Sequence, residues 1–384
     1  MLLVKKKNKY LSILFVTLLL LTGCWDKKEI DDQQFVISLG IDKSEKETIS
    51  SKNSYRYNIT YATPNLSTVQ KNGGGNEPFR YFQYVTGDTL TGTIKKAQAY
   101  YLEPINFEHV KTIILGKELA KDKVLFQEVL DYIDRTPQFG RTVLVMIAEN
   151  TAKEILEAKE ETKPFRNRYA IHSQDITSIP DELIINVGKV LNQLINNEGT
   201  TFIPRIKKGK NNLGFSGGAV FRDYQFQGWL DEAQVRVLSW TLGKNKGGYF
   251  PIWYQGAYVP YEVSHISSKV VSATYDKYLK VKVQIETEGD ISEYILDNSK
   301  KYIDSKWVKQ LEIELEEAIK KEIRDVFDIL QMEYKVDIIG LKDQLKLKYP
   351  KVWKEIKEDY EKIFEEAEIE IDVNISIRRI GMVY

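Results

Sequence analysis

The sequence predicts an α+β, multi-domain protein with a mixed-sheet N-terminal domain, a small β-rich middle domain, and a C-terminal antiparallel sheet packed against a long helix. Three observations carry this. Short apolar runs alternate with amphipathic helices through the N-terminal half. A polar stretch rich in Gly and Lys, "NNEGTTFIPRIKKGKNNLG" (196–214), then breaks the pattern. The last third alternates strictly between apolar and polar residues, both before and after one long helical stripe.

The chain opens on Lys5, Lys6, Lys7 and Lys9, followed by the apolar run LSILFVTLLLL at 11–21. Eleven helical residues span about 17 Å, short of a hydrocarbon core about 30 Å thick. The layout is that of a secretory signal. Its small-residue end, Leu21-Thr22-Gly23-Cys24, resembles the bacterial lipobox. Cleavage after Gly23 would leave Cys24 as residue one, with diacylglycerol on its sulfur and a further acyl chain, such as palmitate, on its amine. Two or more chains suffice for stable anchoring.

Cys24 is the only cysteine of the 384 residues, so the mature chain would hold no disulfide and no free thiol. The full chain carries 55 basic and 55 acidic residues. Removing the four leader lysines leaves 51 against 55, a slight acidic excess that points away from nucleic acid. A mature length of 361 residues exceeds one ordinary core.

In chain order, Tyr55, Tyr57, Ile59 and Tyr61 alternate with polar residues as a half-buried strand. Residues 65–78 read as a glycine-rich loop. A helix begins near Asp88, with Leu90, Ile94, Ala97 and Tyr101 on one face. Residues 109–116 and 141–150 are buried strands. Between them runs an amphipathic helix over 125–137, ended by Pro137. Thr151 and Glu154 fit a capping box at the next helix. Leu183, Val187, Leu191 and Leu194 mark another helix. After the break come strand-like runs over 217–223, 225–230 and 247–266, with a short helix over 231–243.

In the last third, Leu279, Val281, Val283 and Ile285 alternate with polar residues. Ile303, Trp307, Leu311, Leu315, Ile319, Ile323 and Phe327 form the long stripe. Pairs such as Glu316–Lys320 and Glu317–Lys321 are expected on its wet face. A short helix precedes Tyr349. Another starts at Pro350 and buries Val352, Trp353, Ile356, Tyr360 and Phe364. Ile369, Ile371, Val373, Ile375 and Ile377 alternate in the final strand. The divisions are a leader at 1–23 and domains at 24–198, 199–262 and 263–384.

Little in the chain suggests catalysis. His109, His172 and His265 have no partner at metal-ligand spacing. Gly214-Phe215-Ser216-Gly217-Gly218 matches G-x-S-x-G, but the residues after it look like a strand, the reverse of a nucleophile elbow. Gly73-Gly74-Gly75 lacks the Lys-Ser/Thr that completes a phosphate loop. The carboxylates of "EIELEE" and "KEDYEKIFEE" read as solvated faces. The aromatics of "YFPIWYQGAYVPY" (249–261) fit either a β-domain core or a sugar-binding surface. No metal, cofactor or ligand-binding residue is assigned; the expected non-protein group is the lipid on Cys24.

At "GCWDKKEIDDQQFVISLGID" the chain resembles the Ger(x)C family, the lipoprotein C subunits of spore germinant receptors. Cys24, Trp25, Asp26, Glu29 and Ile30 match the family's opening, and Gly40, Ile41 and Asp42 its Gly-Ile-Asp. Lys28 stands where arginine is expected, keeping the charge but not the bidentate fork. Residues 217–243, with "AVF" and "GWL", and residues 349–381, with Arg378, Arg379 and Gly381, resemble two further family blocks. The resemblance implies a non-enzymatic α+β protein of three domains. It would sit by Cys24 on the outer face of the spore inner membrane, beside integral-membrane A-type and B-type subunits that together sense nutrients. Two other classes remain: a lipid-anchored solute-binding protein that captures the nutrient itself, and an envelope hydrolase, for which no site is found.

Overall fold

The computed structural model describes residues 33–45, 55–65, 80–100, 104–158, 185–210, 213–241, 247–291, 295–296 and 304–380. The leader, Gly23 and Cys24, the 66–79 loop with Gly73–Gly75, Tyr101, His172, Leu183 and Ile303 lie outside them.

The first part runs β1 (Gln34–Phe35), β2 (Ser38–Lys43), β3 (Tyr57–Pro64), β4 (Arg80–Gly87), α1 (Leu90–Tyr100), β5 (Ile105–Asn106) and β6 (Thr112–Leu115). It continues with α2 (Lys117–Lys121), α3 (Lys123–Arg135), β7 (Leu144–Ala148), α4 (Ala152–Glu157), α5 (Val187–Asn196), β8 (Thr201–Lys208), β9 (Leu213–Arg222) and β10 (Gln225–Leu230). One eight-stranded sheet has the order β10-β9-β8-β7-β6-β2-β3-β4. Its centre, β2, β6, β7 and β8, is parallel, and antiparallel hairpins flank it.

The central strands are apolar without alternation because both faces are covered. Ile113, Leu115, Val145 and Ile147 face α1, α2, α3 and α5 in the main core. Ile114, Met146 and Ala148 face Ala152, Ile155 and Leu156 of α4. Asp122 opens α3 by accepting from Leu125 N (3.1 Å), two residues before the expected start. Asn186 opens α5 in the same way.

The second part runs α6 (Glu232–Thr241), β11 (Tyr249–Tyr254), β12 (Ala257–Tyr275), β13 (Leu279–Ile291), β14 (Ile295–Leu296) and α7 (Ser305–Asp328). A π-helical turn (Ile329–Glu333) follows, then α8 (Leu341–Lys348), α9 (Pro350–Ile356), α10 (Tyr360–Glu365) and β15 (Glu368–Ile380). β11, β12, β13 and β14 pair antiparallel, and α7 packs on this sheet through Leu311, Leu315, Ile319 and Ile323. β15 joins parallel to β13, because the helical block carries the chain back to the end where β13 began.

The expected middle domain, 199–262, has no sheet of its own among the described residues. β8, β9 and β10 complete the first sheet, while β11 and β12 open the second. Within the polar stretch at 196–214, Thr201–Lys208 is therefore an interior, mostly buried strand of the first sheet rather than a linker. The single helix expected from Pro350 is two, α9 and α10, and both still bury the expected Ile356, Tyr360 and Phe364.

The two sheets share one core. At their junction Tyr334 Oη donates to Trp229 O (3.0 Å), and a Cβ on Gly228 would fall 2.3 Å from that hydroxyl oxygen. Only glycine admits the ring so close. Arg222 adds a 3.2 Å pair with Glu361.

Candidate functional site

Three places gather polar or exposed chemistry. The first is a concavity of about 870 Å³ beside the ends of β2, β3 and β4, lined by Asp42, Lys43, Asn58, Thr60, Tyr84, Lys96 and Lys153 among others. Asp42 is buried there. Its carboxylate accepts from Ala152 N (2.7 Å) and Lys153 N (3.0 Å), so it holds the start of α4 against β2. Burial pushes its pKa up, opposed by those two amides and by the Lys153 charge.

The capping box is thus half-formed. Thr151 Oγ accepts from Glu154 N (3.1 Å), while Asn150 Nδ2 donates to the Glu154 carboxylate and Asp42 takes the first helical amides. Gly40 lets α4 close in, since a Cβ there would lie 2.8 Å from Leu156 Cδ1.

The lysines of this concavity have partners. Lys43 pairs with Asp122 at 3.1 Å. Lys96 lies over the Tyr55 ring and donates to Thr86 O. Lys153 stacks 4.5 Å from the Tyr84 ring centroid. The Tyr84 hydroxyl donates to Glu157, and its pKa is pushed up to about 12 by burial and then by that carboxylate. Asp42, Lys43, Lys96 and Lys153 are thus engaged in helix capping, ion pairing and ring contacts.

The second place is Asp337, between the π-helical turn and α8. Its carboxylate accepts from Ile339 N (3.2 Å), Leu341 N (3.1 Å), Lys342 N (2.7 Å) and Tyr360 Oη (2.8 Å). Burial raises its pKa against these four donors. It ties the start of α8 to α10. The reading of the chain missed it; the one signal was an aspartate three residues before Gly340 at a helix start.

The third is the β11–β12 hairpin. Its aromatics divide by face: Phe250, Tyr254 and Tyr261 are buried, while Tyr249, Trp253 and Tyr258 are 51%, 67% and 36% exposed. The core expectation holds for one face and leaves the other an open aromatic surface.

The remaining residues singled out in the chain fall apart in space or into structural roles. His109 is exposed and edge-on to Phe35; His265 is exposed on β12 in the other half. No group of potential metal ligands forms among the described residues. Ser216 lies inside β9, buried, with Arg205 Nε donating to its Oγ (2.9 Å), which makes the G-x-S-x-G match a strand.

On α7, Glu316 does not turn to Lys320. It accepts from Ile375 N (3.0 Å), and Glu312 accepts from Ile377 N (2.8 Å), so both cover the free edge of β15. Lys320 pairs instead with Glu317. Glu361 and Glu365 of the second acidic run meet Arg222 and Lys335.

Residues 26–208 match a family model described as "Spore germination protein N-terminal domain", and residues 216–381 match "Spore germination B3/ GerAC like, C-terminal". The chain belongs to the Ger(x)C family.

Similar curated proteins of Bacillus subtilis (strain 168) include spore germination protein B3, at 25% identity with 99% of each chain covered. Spore germination protein YndF is 26% identical over 99% of this chain and 98% of its own. Spore germination protein A3 is 24% identical over 96% of each. The solved structure titled "Crystal Structure of the GerBC protein" shares the fold, with a TM-score of 0.59 at 19% identity, covering 90% of this chain and 99% of that one.

The Ger(x)C blocks acquire physical roles here. Gly40-Ile41-Asp42 is the β2–α4 clasp. "AVF" is buried β9, and Gly228-Trp229-Leu230 is the seam between the sheets. Arg378 pairs with Glu288 across β15 and β13.

Proposed function

We propose that this chain is a lipid-anchored, non-enzymatic subunit of a spore germinant receptor. Cys24 holds it on the outer face of the spore inner membrane, beside integral-membrane A-type and B-type subunits, and it works by contact with them in nutrient-triggered germination. The observation that carries the reading is the match of both family models along almost the whole chain, joined to a leader and lipobox in the required order. The engagement of Asp42, Lys43, Lys96 and Lys153 within the fold supports a non-enzymatic role.

The test is Cys24→Ala in spores. Release of a folded protein with impaired nutrient germination is expected; normal germination by a fully released variant would contradict the reading.

A second reading, direct capture of a small nutrient, draws on the concavity beside β2 and β3. Calorimetry of residues 25–384 against amino acids and sugars separates the two. Saturable heat, abolished by Thr60→Val at the concavity wall, would favour capture.

A further inference from the structure

The β11–β12 hairpin has features that neither the family match nor the core requires. On its outward face Tyr249 stands opposite Glu262 and Trp253 opposite Tyr258, with half-buried Pro251 and buried Pro260 between these two pairs. The Trp253 and Tyr258 ring centroids are 6.3 Å apart. The two strands turn tightly through Gln255 (φ 49°) and Gly256 (φ 73°), both exposed, and β14 pairs with β12 beside the turn at Ala257 and Tyr258. The opposite face is fixed: Phe250 packs on Trp240 of α6, and Tyr254 on Trp307 of α7. The rings are thus offered on a rigid support.

The hairpin strands carry no charge from Phe250 to Tyr261, and acids stand at their base: Glu262 opposite Tyr249, and Glu322 of α7 facing Arg236. Among the described residues from Ala233 to Tyr261 there is no Asp or Glu, and Arg236 is the cation. Arg236 lies over the Tyr249 ring, 5.5 Å from its centroid. The start of α7 adds exposed Lys306 and Lys309, with Asp304 and Glu314 as the nearby acids on that helix. Amphipathic rings that are apolar in body and polar at one end prefer the headgroup layer of a bilayer. Exposed lysines such as Lys306 and Lys309 are attracted to an anionic one.

The tether sets the distance. Eight residues lie between Cys24 and Gln33, a reach of at most about 30 Å. A compact body of this length, with a radius of gyration on the order of 20 Å, is then held against the lipid surface.

We propose that the β11–β12 hairpin is a second membrane contact, with Trp253 and Tyr258 seated among the headgroups of an anionic bilayer. This rests on the Cys24 anchoring of the preceding section. Anchor and hairpin together would fix the orientation of the body, which a single point of attachment does not.

The test uses the lipidated full chain on vesicles of phosphatidylglycerol and phosphatidylcholine. Because the acylated chain has no other thiol, Gln255→Cys or Ile195→Cys gives one spin-label site each, the second being an exposed helix position in the other half. The label at 255 should be reached by oxygen and shielded from an aqueous nickel relaxant. The label at 195 should be open to nickel. Adding Trp253→Ala and Tyr258→Ala should return the label at 255 to the aqueous pattern while the protein still sediments with the vesicles.

Equal nickel access at both sites on sedimenting protein would overturn the hairpin contact and leave the anchor standing. Shielding at 255 only when the integral-membrane subunits are co-reconstituted would overturn it in favour of a protein partner. Failure of the lipidated preparation to sediment at all would reject the anchor itself.

Discussion

The two sheets of this molecule are buried differently. The eight-stranded sheet is covered on both faces, by α1, α2, α3 and α5 on one side and by α4 on the other. The C-terminal sheet has α7 on one face only. Its other face carries Lys280, Lys282, Glu286, Glu288, Glu368 and Glu370, paired across strands at 2.8 Å (Lys280–Glu368) and 2.7 Å (Lys282–Glu370). A sheet closed on both sides is scaffold. A sheet with one wet face and an aromatic hairpin at its edge has surface to offer a membrane or a neighbour. The contrast places the stability of the chain in its staples and its contacts in the C-terminal half.

Substitutions can break or sharpen this contrast. The largest effect is expected at Asp337→Ala, which strands three amides and the Tyr360 hydroxyl. A loss of about 3 kcal/mol in urea unfolding is expected, and an unchanged midpoint would remove Asp337 from the staples.

Next is Gly228→Ala, where the added methyl meets the Tyr334 hydroxyl. About 2 kcal/mol should be lost through strain at the seam, and Tyr334→Ala, which removes the ring as well as the hydroxyl, should cost less in the Gly228→Ala background than alone if the clash is the cause.

Asp42→Ala removes the acceptor for two α4 amides, for about 1 to 2 kcal/mol. Exchange protection should fall locally, in α4 and β2. At the small end, Lys280→Ala on the wet face should leave the unfolding midpoint where it was, because exposed pairs contribute little; a clear drop would show that this face is structural after all.

Asp337 also predicts a pH arm. Its folded pKa is raised above the ordinary aspartate value of 3.8 by burial. The folded chain therefore binds the proton more tightly than the unfolded chain. This contribution is fully present below 3.8 and is lost as pH rises through the folded pKa. Asp337→Asn should flatten that arm in a pH series of urea midpoints.

Much of the fold was legible because burial writes itself as periodicity. The α7 stripe from Leu311 to Phe327 and the alternation of β13 and β15 fall where spacing put them. Strand partners were not legible. The run Thr201–Lys208 has the same local pattern whether it starts a new domain or adds to β7, and only long-range pairing decides.

Glu312 and Glu316 misled for a related reason. Helical spacing offers Lys320, but the free amides of Ile375 and Ile377 are a better use of a half-buried carboxylate, and nothing local announces them. At the hairpin, composition alone did not separate core from surface; the register did, by sending Phe250 in and Trp253 out. The Cys24 motif was readable from order and spacing in the chain and lies outside the described residues.

The account depends on covalent lipid at Cys24. Intact-mass and N-terminal peptide mass spectrometry of the protein from its native membrane tests that directly. The expected result is a chain beginning at Cys24, with the leader through Gly23 gone and the mass of diacylglycerol, with or without an amine-linked acyl chain, on the first residue. A bare Cys24 thiol, or an uncut leader, would contradict it.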